Sequence, residues 1–191
     1  MRKVVSHLIM TLDGVVQFDA VGDTIAKLRD SEEVLVGFFA TVAEEDAMLL
    51  GRVTYQQWAE YWPTSNVQPF ASHINSVTKY VVSRTLEAAP WGASGSATLL
   101  KGNLANSIVA LKQLPGKNIG VHGSPGLVDA LLQADLLDEL RLEIYPVVAG
   151  TGSRLFQDGR PAKRLRLSAA TIGRNGVVIL TYQPADRARD G

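Results

Sequence analysis

The sequence contains no cysteine and only three histidines in 191 residues. The lack of cysteine excludes disulfides and thiolate chemistry. The histidines, His7, His73 and His122, stand far apart and lack the i, i+4 spacing of a helical metal site, so no metal is expected. A reducing, cytoplasmic location is the simplest expectation.

Net charge and long hydrophobic runs are absent as well. Lys plus Arg and Asp plus Glu both number 19, so the formal net charge is zero and no global field attracts nucleic acid or an anionic membrane. No segment approaches the roughly 20 apolar residues of a membrane span, and His7 and Asp13 interrupt the N-terminal run before a signal-peptide core forms. We therefore expect neither nucleic acid nor membrane as a partner, and any anion site must be local.

The composition, 46% hydrophobic and 20% charged, is that of a globular domain, which we place at residues 1–183 with a flexible tail at 184–191. Short apolar runs predict strands at 4–10, 47–50, 79–82, 97–100, 119–122, 139–145, from 165, and at 177–182. Helical spacing predicts helices at 31–43, with Ser31 as N-cap, and at 52–58, 70–76, 103–114 and 127–133. Residues 15–30 are predicted to be irregular, and 87–96 a surface connection.

The character of the sequence changes after residue 138. Apolar and polar residues alternate at 139–145, which predicts a strand with one wet face and places Glu143 in solvent. The pair Asn175-Gly176 then predicts a hairpin. The expected fold is α/β, a mixed and mostly parallel sheet flanked by helices and closed by a C-terminal antiparallel hairpin.

Three predicted strands are followed by loops of small and cationic residues. The loops are Gly51-Arg52-Val53-Thr54, Ser83-Arg84-Thr85 and Gly123-Ser124-Pro125-Gly126. The carboxyl ends of parallel strands share one sheet edge, and an arginine can fork onto a phosphate, so together the loops favour an anionic nucleotide. Taken singly, a Gly-Ser-Pro-Gly loop before a helix is more often only a turn, and an arginine such as Arg52 or Arg84 is most often a surface charge.

The third loop has the most specific local chemistry. Ser124 suits a helix N-cap, Pro125 suits the first helical position, and the flanking glycines Gly123 and Gly126 expose backbone amides. The positive end of the following helix then favours a pyrophosphate. The glycine spacing is not the G-x-G-x-x-G pattern, which argues against a Rossmann domain.

Few residues suggest catalysis. Asp13 ends the first strand, where it either hydrogen-bonds a substrate or closes a turn with Gly14. Trp58, Tyr61 and Trp62 follow the second strand, where they either wall a planar ligand or pack in a core or dimer.

Six motifs in order carry a family resemblance over residues 1–183. They are Thr11-Leu12-Asp13-Gly14, Leu49-Leu50-Gly51-Arg52-Val53-Thr54-Tyr55, Lys79-Tyr80-Val81-Val82-Ser83-Arg84, His122-Gly123-Ser124-Pro125-Gly126-Leu127, Leu137-Asp138-Glu139-Leu140 and Tyr145-Pro146-Val147-Val148-Ala149-Gly150-Thr151-Gly152. This succession resembles the bacterial dihydrofolate reductase-like family, which shares its fold with the reductase domain of bifunctional riboflavin biosynthesis enzymes.

The resemblance implies a dihydrofolate reductase-like fold, NADPH as hydride donor and frequent homodimers. It implies an NADPH-dependent reductase of a small heteroaromatic or carbonyl substrate, similar to 5-amino-6-(5-phosphoribosylamino)uracil reductase and dihydrofolate reductase. Carried over by position, the cofactor residues are Arg52, Thr54, Ser83 and Arg84 around the adenosine 2′-phosphate and Gly123, Ser124, Gly126 and Leu127 at the pyrophosphate, together with Gly51. Asp13, as catalytic residue, and Gly14 would lie near nicotinamide and substrate, with Trp58 at the substrate and the Gly150-Thr151-Gly152 loop at the border of the cleft.

Two departures from the family pattern leave a second function open. His122-Gly123 stands where the family often has two adjacent glycines, and the helix expected to carry a pterin-polarising acid has only Glu32 and Glu33, at its start. The missing acid supports the alternative of a non-catalytic NADP(H)- or nucleotide-binding regulatory protein.

Overall fold

The computed structural model describes residues 1–17, 21–29, 32–93 and 95–185. The strands of this part are β1 (Val4–Thr11), β2 (Glu45–Gly51), β3 (Thr78–Val82), β4 (Pro90–Trp91), β5 (Gly95–Ser96), β6 (Thr98–Leu100), β7 (Asn118–His122), β8 (Glu139–Tyr145), β9 (Leu165–Ile172) and β10 (Val178–Pro184). Its helices are α1 (Gly22–Arg29), α2 (Glu32–Ala43), α3 (Arg52–Tyr61), α4 (Phe70–Ser76), α5 (Leu104–Gln113) and α6 (Pro125–Gln133), with a 3₁₀ turn at Trp62–Thr64.

An eight-stranded sheet organises the chain, in the order β6-β3-β2-β7-β1-β8-β10-β9. The first six of these strands run parallel, whereas β10 is antiparallel to β8 and β9 is antiparallel to β10. β4 and β5 form a separate two-stranded antiparallel sheet. The predicted α/β class, with a mostly parallel sheet and a C-terminal hairpin, is confirmed.

One face of the sheet is apolar and is covered by α5 and α6. Alternate strand residues such as Val4, Leu49 and Val121 point to this side and pack against Ile108 and Leu131 of the two helices. All five side chains are fully buried, and they belong to the main core of the protein. Burial of an aliphatic side chain contributes roughly 1.5–3 kcal/mol, so this face dominates the folding free energy.

The other face of the sheet is covered by α3 and α4 and is partly polar. Met48 and Leu50 of β2 pack there with Tyr55, Ile74 and Trp91. Farther along the same face, the middle strands β7, β1 and β8 carry buried histidine and glutamate side chains. Of these residues, His122 ends β7 and so lies at the carboxyl end of a parallel strand, where ligands bind in open α/β sheets, and His7 is its register partner within β1.

Several predicted elements need correction. Residues 22–29 form helix α1, which packs Ile25 against Tyr145 and Val177 and so is fixed by tertiary contact rather than by its weak apolar pattern. The connection at 87–96 contains the β4–β5 hairpin with a buried Trp91. Pro184 ends β10 instead of beginning a tail, while Ser31 and residues 186–191 lie outside the described residues.

Strand β8 is buried on both faces, so the prediction of a wet face is wrong. It lies between β1 and β10, and Glu143 is 0% exposed. Glu143 faces the buried His7, and Glu139 and Arg141 are covered by ion pairs, a pattern that alternation alone does not distinguish from solvent exposure. None of the helices in the described ranges combines the length and apolarity that a bilayer crossing requires.

Candidate functional site

The ends of β2 and β7 meet through a serine hydroxyl. The Gly51 amide donates to Ser124 Oγ at 2.8 Å, and Ser124 Oγ donates to Thr54 Oγ1 at 2.7 Å. A Cβ at Gly51 would lie 2.8 Å from that Oγ and 2.9 Å from Ser124 Cβ, closer than real contacts allow. Glycine at position 51 is therefore what lets the two loops touch.

Helices α3 and α6 both begin at this junction without a side-chain cap. Gly51 precedes α3 and has no side chain, and Ser124 precedes α6 but makes no cap hydrogen bond. Ser124 occupies the N-cap position as predicted, but its backbone is left-handed at φ 54° and its hydroxyl is turned toward β2 instead of the helix. Pro125 does occupy the first helical turn. Two positive helix ends thus converge on one point.

A cleft of ≈ 380 Å³ opens at these helix ends, and we call it the loop cleft. It is lined by Gln17, Gly51, Arg52, Val53, Thr54, Gln57, Ser124, Pro125, Gly126, Leu127, Ser153 and Gln157. Two of the three predicted loops are therefore brought together. Arg52 is exposed, with Nη1 bonded only locally, to Gln56 Oε1 at 3.0 Å, so its guanidinium is positioned to meet an anion.

The third predicted loop contributes less. Ser83 and Arg84 follow β3, which neighbours β2, but neither lines the loop cleft. The Ser83 hydroxyl is buried and accepts hydrogen bonds from the amides of Thr85 and Leu86, which shapes the loop. Arg84 is exposed at the same sheet edge. Their assignment to the cofactor stays a prediction.

Asp13 fastens two loops together. Its carboxylate accepts hydrogen bonds from the Thr11 hydroxyl at 2.6 Å and from the amides of Ala149 and Gly150 at 3.0 and 2.8 Å. These donors hold the pKa of Asp13 down to about 2, with the Thr11 hydroxyl as the largest cause. Asp13 therefore carries no proton near neutral pH, and neither it nor Gly14, which has φ +83°, lines the loop cleft.

The loop after β8 is held against the chain following β1. Val16 N–H donates to Ser153 O, Leu155 N–H donates to Gly14 O, and a Cβ at Gly152 would lie 2.4 Å from Gln17 O. Because Gln17 and Ser153 both line the loop cleft, these contacts form its far wall. Ser153 lines the loop cleft and directly follows residues 150–152, whose own place at the cleft stays a prediction.

A second cavity of ≈ 440 Å³ adjoins the first, and we call it the aromatic pocket. It is lined by His7, Leu8, Ile9, Val16, Trp58, Trp62, Val67, Phe70, Ile74, His122 and Gly123. Val16 and Gly123 line this pocket while their chain neighbours Gln17 and Ser124 line the loop cleft, so the cavities share a wall. Trp58 and Trp62 face a ligand space, whereas Tyr61 is half exposed and is not a lining residue.

Two histidine–glutamate pairs lie at this pocket, and we call His7, Glu143, His122 and Glu45 the histidine floor. His7 Nε2 is 3.0 Å from Glu143 Oε2, and His122 Nε2 is 2.7 Å from Glu45 Oε2. The two histidines are register partners on β1 and β7, with ring centroids 6.4 Å apart. Tyr145 also donates to Glu143.

Sequence reasoning missed the histidine floor. Its members are far apart along the chain, and pairing depends on a strand order that was not known. One usable signal was present: two of the three histidines fall in strands predicted to be buried. In the described ranges, no three His, Asp or Glu side chains are placed to hold a metal ion together.

The loop cleft has the donors that a dinucleotide phosphate requires. A Cβ at Gly126 would meet nothing within 4 Å, and the starts of α3 and α6, which lack side-chain caps, face the cleft with Arg52 and three hydroxyl side chains. Backbone amides at a helix start and a guanidinium are the usual partners of a pyrophosphate and a phosphate monoester. The apolar, aromatic cavity next to it suits a planar ring.

Comparisons with known proteins agree with this arrangement. The family model of the RibD C-terminal domain matches residues 2–179. The uncharacterized protein YyaP of Bacillus subtilis strain 168 is 30% identical over 186 residues, covering 95% of this chain and 94% of YyaP. YwjB of the same strain, also uncharacterized, is 27% identical over 168 residues, covering 87% of this chain and 89% of YwjB.

Solved structures show the same fold. A protein of Shewanella sp. PV-4, provisionally assigned to riboflavin biosynthesis, aligns with a TM-score of 0.78 at 20% identity, covering 96% of this chain and 99% of that one. The diaminohydroxyphosphoribosylaminopyrimidine deaminase/5-amino-6-(5-phosphoribosylamino)uracil reductase of Thermotoga maritima aligns with a TM-score of 0.66 at 11% identity, covering 96% and 57%. Identities this low establish the architecture and not the activity.

Proposed function

We propose that this chain, which belongs to the RibD C-terminal domain family, is an NADPH-dependent reductase of a small heteroaromatic or carbonyl substrate. The observation that carries the proposal is the meeting of two uncapped helix starts, those of α3 and α6, at a cleft that adjoins an aromatic pocket. The cleft suits the phosphates and the pocket suits the reacting rings.

The residues of the loop cleft would hold the cofactor through its phosphates. The starts of α3 and α6 would bind the pyrophosphate, and Arg52 with Thr54 would bind the 2′-phosphate. When bound, the reduced nicotinamide supplies a hydride. Completion of the reduction needs one proton, which water or a histidine of the aromatic pocket would supply, because Asp13 is ionised near neutral pH.

Isothermal titration of the purified protein with NADPH and NADH tests the cofactor assignment. We expect NADPH to bind roughly 10- to 100-fold more tightly than NADH, because a hydrogen bond to a charged group contributes about 1.5–3 kcal/mol. Arg52→Ala should remove most of this preference, and Arg84→Ala should remove less because Arg84 does not line the cleft. Equal affinities in the unaltered protein, or no binding of either nucleotide, would contradict the proposal.

The alternative of an NADP(H)-binding regulatory protein is favoured by one observation. The carboxylate predicted to be catalytic, Asp13, is engaged in loop contacts. NADPH oxidation with a panel of pterins, pyrimidines and simple carbonyls separates the two functions. Tight NADPH binding without oxidation by any of them would favour the regulatory protein.

A further inference from the structure

The aromatic pocket contains no cationic side chain among its described lining residues. Apart from the two histidines and Gly123, all of these residues are apolar or aromatic. Arg52, the arginine that we assign to the cofactor, lines the loop cleft instead. A phosphate placed in the pocket would therefore lose water without gaining an arginine or lysine partner.

With both carboxylates ionised, the histidine floor has no excess positive charge, whether or not its imidazoles are protonated. It contains two carboxylates, Glu45 and Glu143, against two imidazoles, and each carboxylate side chain is at most 1% exposed. Even if both rings are protonated, the four groups sum to zero. The nearby His73 on α4 adds no charge near neutral pH, because burial lowers its pKa below the usual value. The floor therefore repels, or at best does not attract, an anion.

The pocket geometry suits a flat ring with polar edges. Trp58 stacks on His122 with an interplanar angle of 23° and a centroid distance of 6.4 Å, and Trp62 meets Trp58 edge-on. Aromatic walls of this kind hold planar ligands by stacking. An imidazole held by a carboxylate is fixed in orientation and can donate or accept hydrogen bonds through its ring, so it can recognise a carbonyl or amide edge.

Glycine at position 120 shows that the Glu45 contact is built into the sheet. A Cβ there would lie 2.1 Å from Glu45 Oε2, so only glycine leaves room for the carboxylate over β7. The carboxylate in turn holds His122 at the pocket. The lack of a side chain at position 120 thus leaves room for the carboxylate that holds His122.

We infer that the aromatic pocket selects an uncharged, planar, hydrogen-bonding ring without a phosphate group, and that the two histidine–glutamate pairs are its specificity element. This inference rests on the proposed function, in which the neighbouring loop cleft holds the cofactor. It separates this chain from the Thermotoga maritima neighbour, whose name specifies a phosphoribosyl-bearing uracil. The substrate of this chain would resemble that uracil in its ring and differ in its charge.

A matched pair of ligands tests the inference: 6-(ribitylamino)uracil and its 5′-phosphate, titrated by calorimetry into protein saturated with NADP⁺. We expect the uncharged compound to bind at least about ten-fold more tightly, because the phosphate finds no cation in the pocket. Equal or tighter binding of the phosphate, or binding of neither compound, would overturn the inference. NADP⁺ affinity is measured first. If NADP⁺ does not bind, the proposed function is refuted. If it binds, the comparison of the two uracil compounds reports on the aromatic pocket alone.

Charge variants separate recognition from mere packing. Glu45→Gln keeps a hydrogen-bonding partner for His122 while removing one negative charge, so it should narrow the affinity ratio between the two compounds several-fold. The double variant His122→Gln with Glu45→Gln leaves no lone buried charge and should weaken uracil binding about ten-fold when measured at saturating NADP⁺. His73→Gln, which changes the one histidine outside the pocket lining, should alter neither affinity. An unchanged ratio in Glu45→Gln would show that the floor is only structural.

Discussion

At the scale of single residues, the contact between Gly51 and Ser124 determines the shape of the loop cleft. Ser124 is held in a left-handed conformation, so its hydroxyl reaches across to the Gly51 amide and to Thr54. The same conformation prevents it from capping α6. One side chain therefore joins two loops and leaves a helix end available to a ligand.

Gly51→Ala should destabilise the protein by about 1–3 kcal/mol, because its Cβ would meet Ser124 at 2.8 Å. The new methyl group would also separate the two loops and weaken NADPH binding. Gly126→Ala is the matched control: its Cβ meets nothing within 4 Å, and alanine favours the helix by about 0.5–1 kcal/mol. Thermal unfolding of both variants checks this, and equal melting temperatures would count against the close contact.

Asp13 gives a prediction about pH. Its pKa of about 2 is depressed from an ordinary value near 4, so its stabilising effect is complete above roughly pH 4 and is lost as the pH falls through 2. Asp13→Asn should therefore lower the melting temperature at pH 7, and the difference from the unaltered protein should shrink toward pH 2. A difference that is constant from pH 7 to pH 2 would rule out the ionised carboxylate as the cause.

At the scale of elements, helix α2 is tied to the sheet by an ion network. Arg141 of β8 donates to the Thr41 hydroxyl of α2 at 2.9 Å and to the carboxylates of Glu44 and Glu139. Burial opposes ionisation of Glu139, but hydrogen bonds from Lys3 and Arg141 outweigh it and leave the pKa of Glu139 below its usual value. The network therefore stays charged at neutral pH and holds α2 beside the polar face.

Arg141→Met should loosen α2 selectively. The loss of charged hydrogen bonds to Thr41 and Glu44 should reduce the opening free energy of α2 by about 1.5–3 kcal/mol. Helix α5 packs on the opposite, apolar face and is the internal reference. Hydrogen exchange measures both helices in one experiment, and an equal loss of protection in α5 would show global destabilisation instead of a local tie.

At the scale of the whole molecule, the sequence was enough to predict the sheet class and most of its strands. Buried parallel strands such as β2, β3 and β7 appear as short apolar runs, and the Asn175-Gly176 pair marks the C-terminal hairpin. Loop residues 51–54 and 123–127 were predicted to meet because parallel strands share a carboxyl edge. That rule needs only strand direction, and strand direction follows from the helical connections.

The rest depended on contacts between distant segments. Helix α1 has a weak pattern and is stabilised by Tyr145 and Val177, and the polar side of β8 was indistinguishable from a solvated face. The histidine floor needs the neighbour relations β2-β7-β1-β8, which no local pattern encodes. For the same reason, the sequence left two alternatives open for Trp58: a wall for a planar ligand, or packing in a core or dimer.

The edge strand β9 gives a prediction about assembly, and we propose that it forms the homodimer interface implied by the family resemblance. Among the strands of the described residues it pairs only with β10, and Leu167 and Ile172 are 48% and 76% exposed. An exposed apolar edge strand invites pairing with a second copy. Light scattering should give a dimer for the unaltered protein and a monomer for Leu167→Lys with Ile172→Lys.

A matched substitution elsewhere controls for surface charge. Val109→Lys changes an apolar residue on α5 that is 51% exposed, and it should leave the dimer intact. If the unaltered protein is a monomer, the proposed interface at β9 is contradicted.

The most direct measurement on the whole molecule is a crystal structure with bound NADP⁺. We expect the pyrophosphate at the starts of α3 and α6, against residues 51–54 and 124–127, with the 2′-phosphate at Arg52 and the nicotinamide entering the aromatic pocket beside Ile9 and His122. Phosphates bound away from the loop cleft, or a nicotinamide directed away from the aromatic pocket, would contradict it.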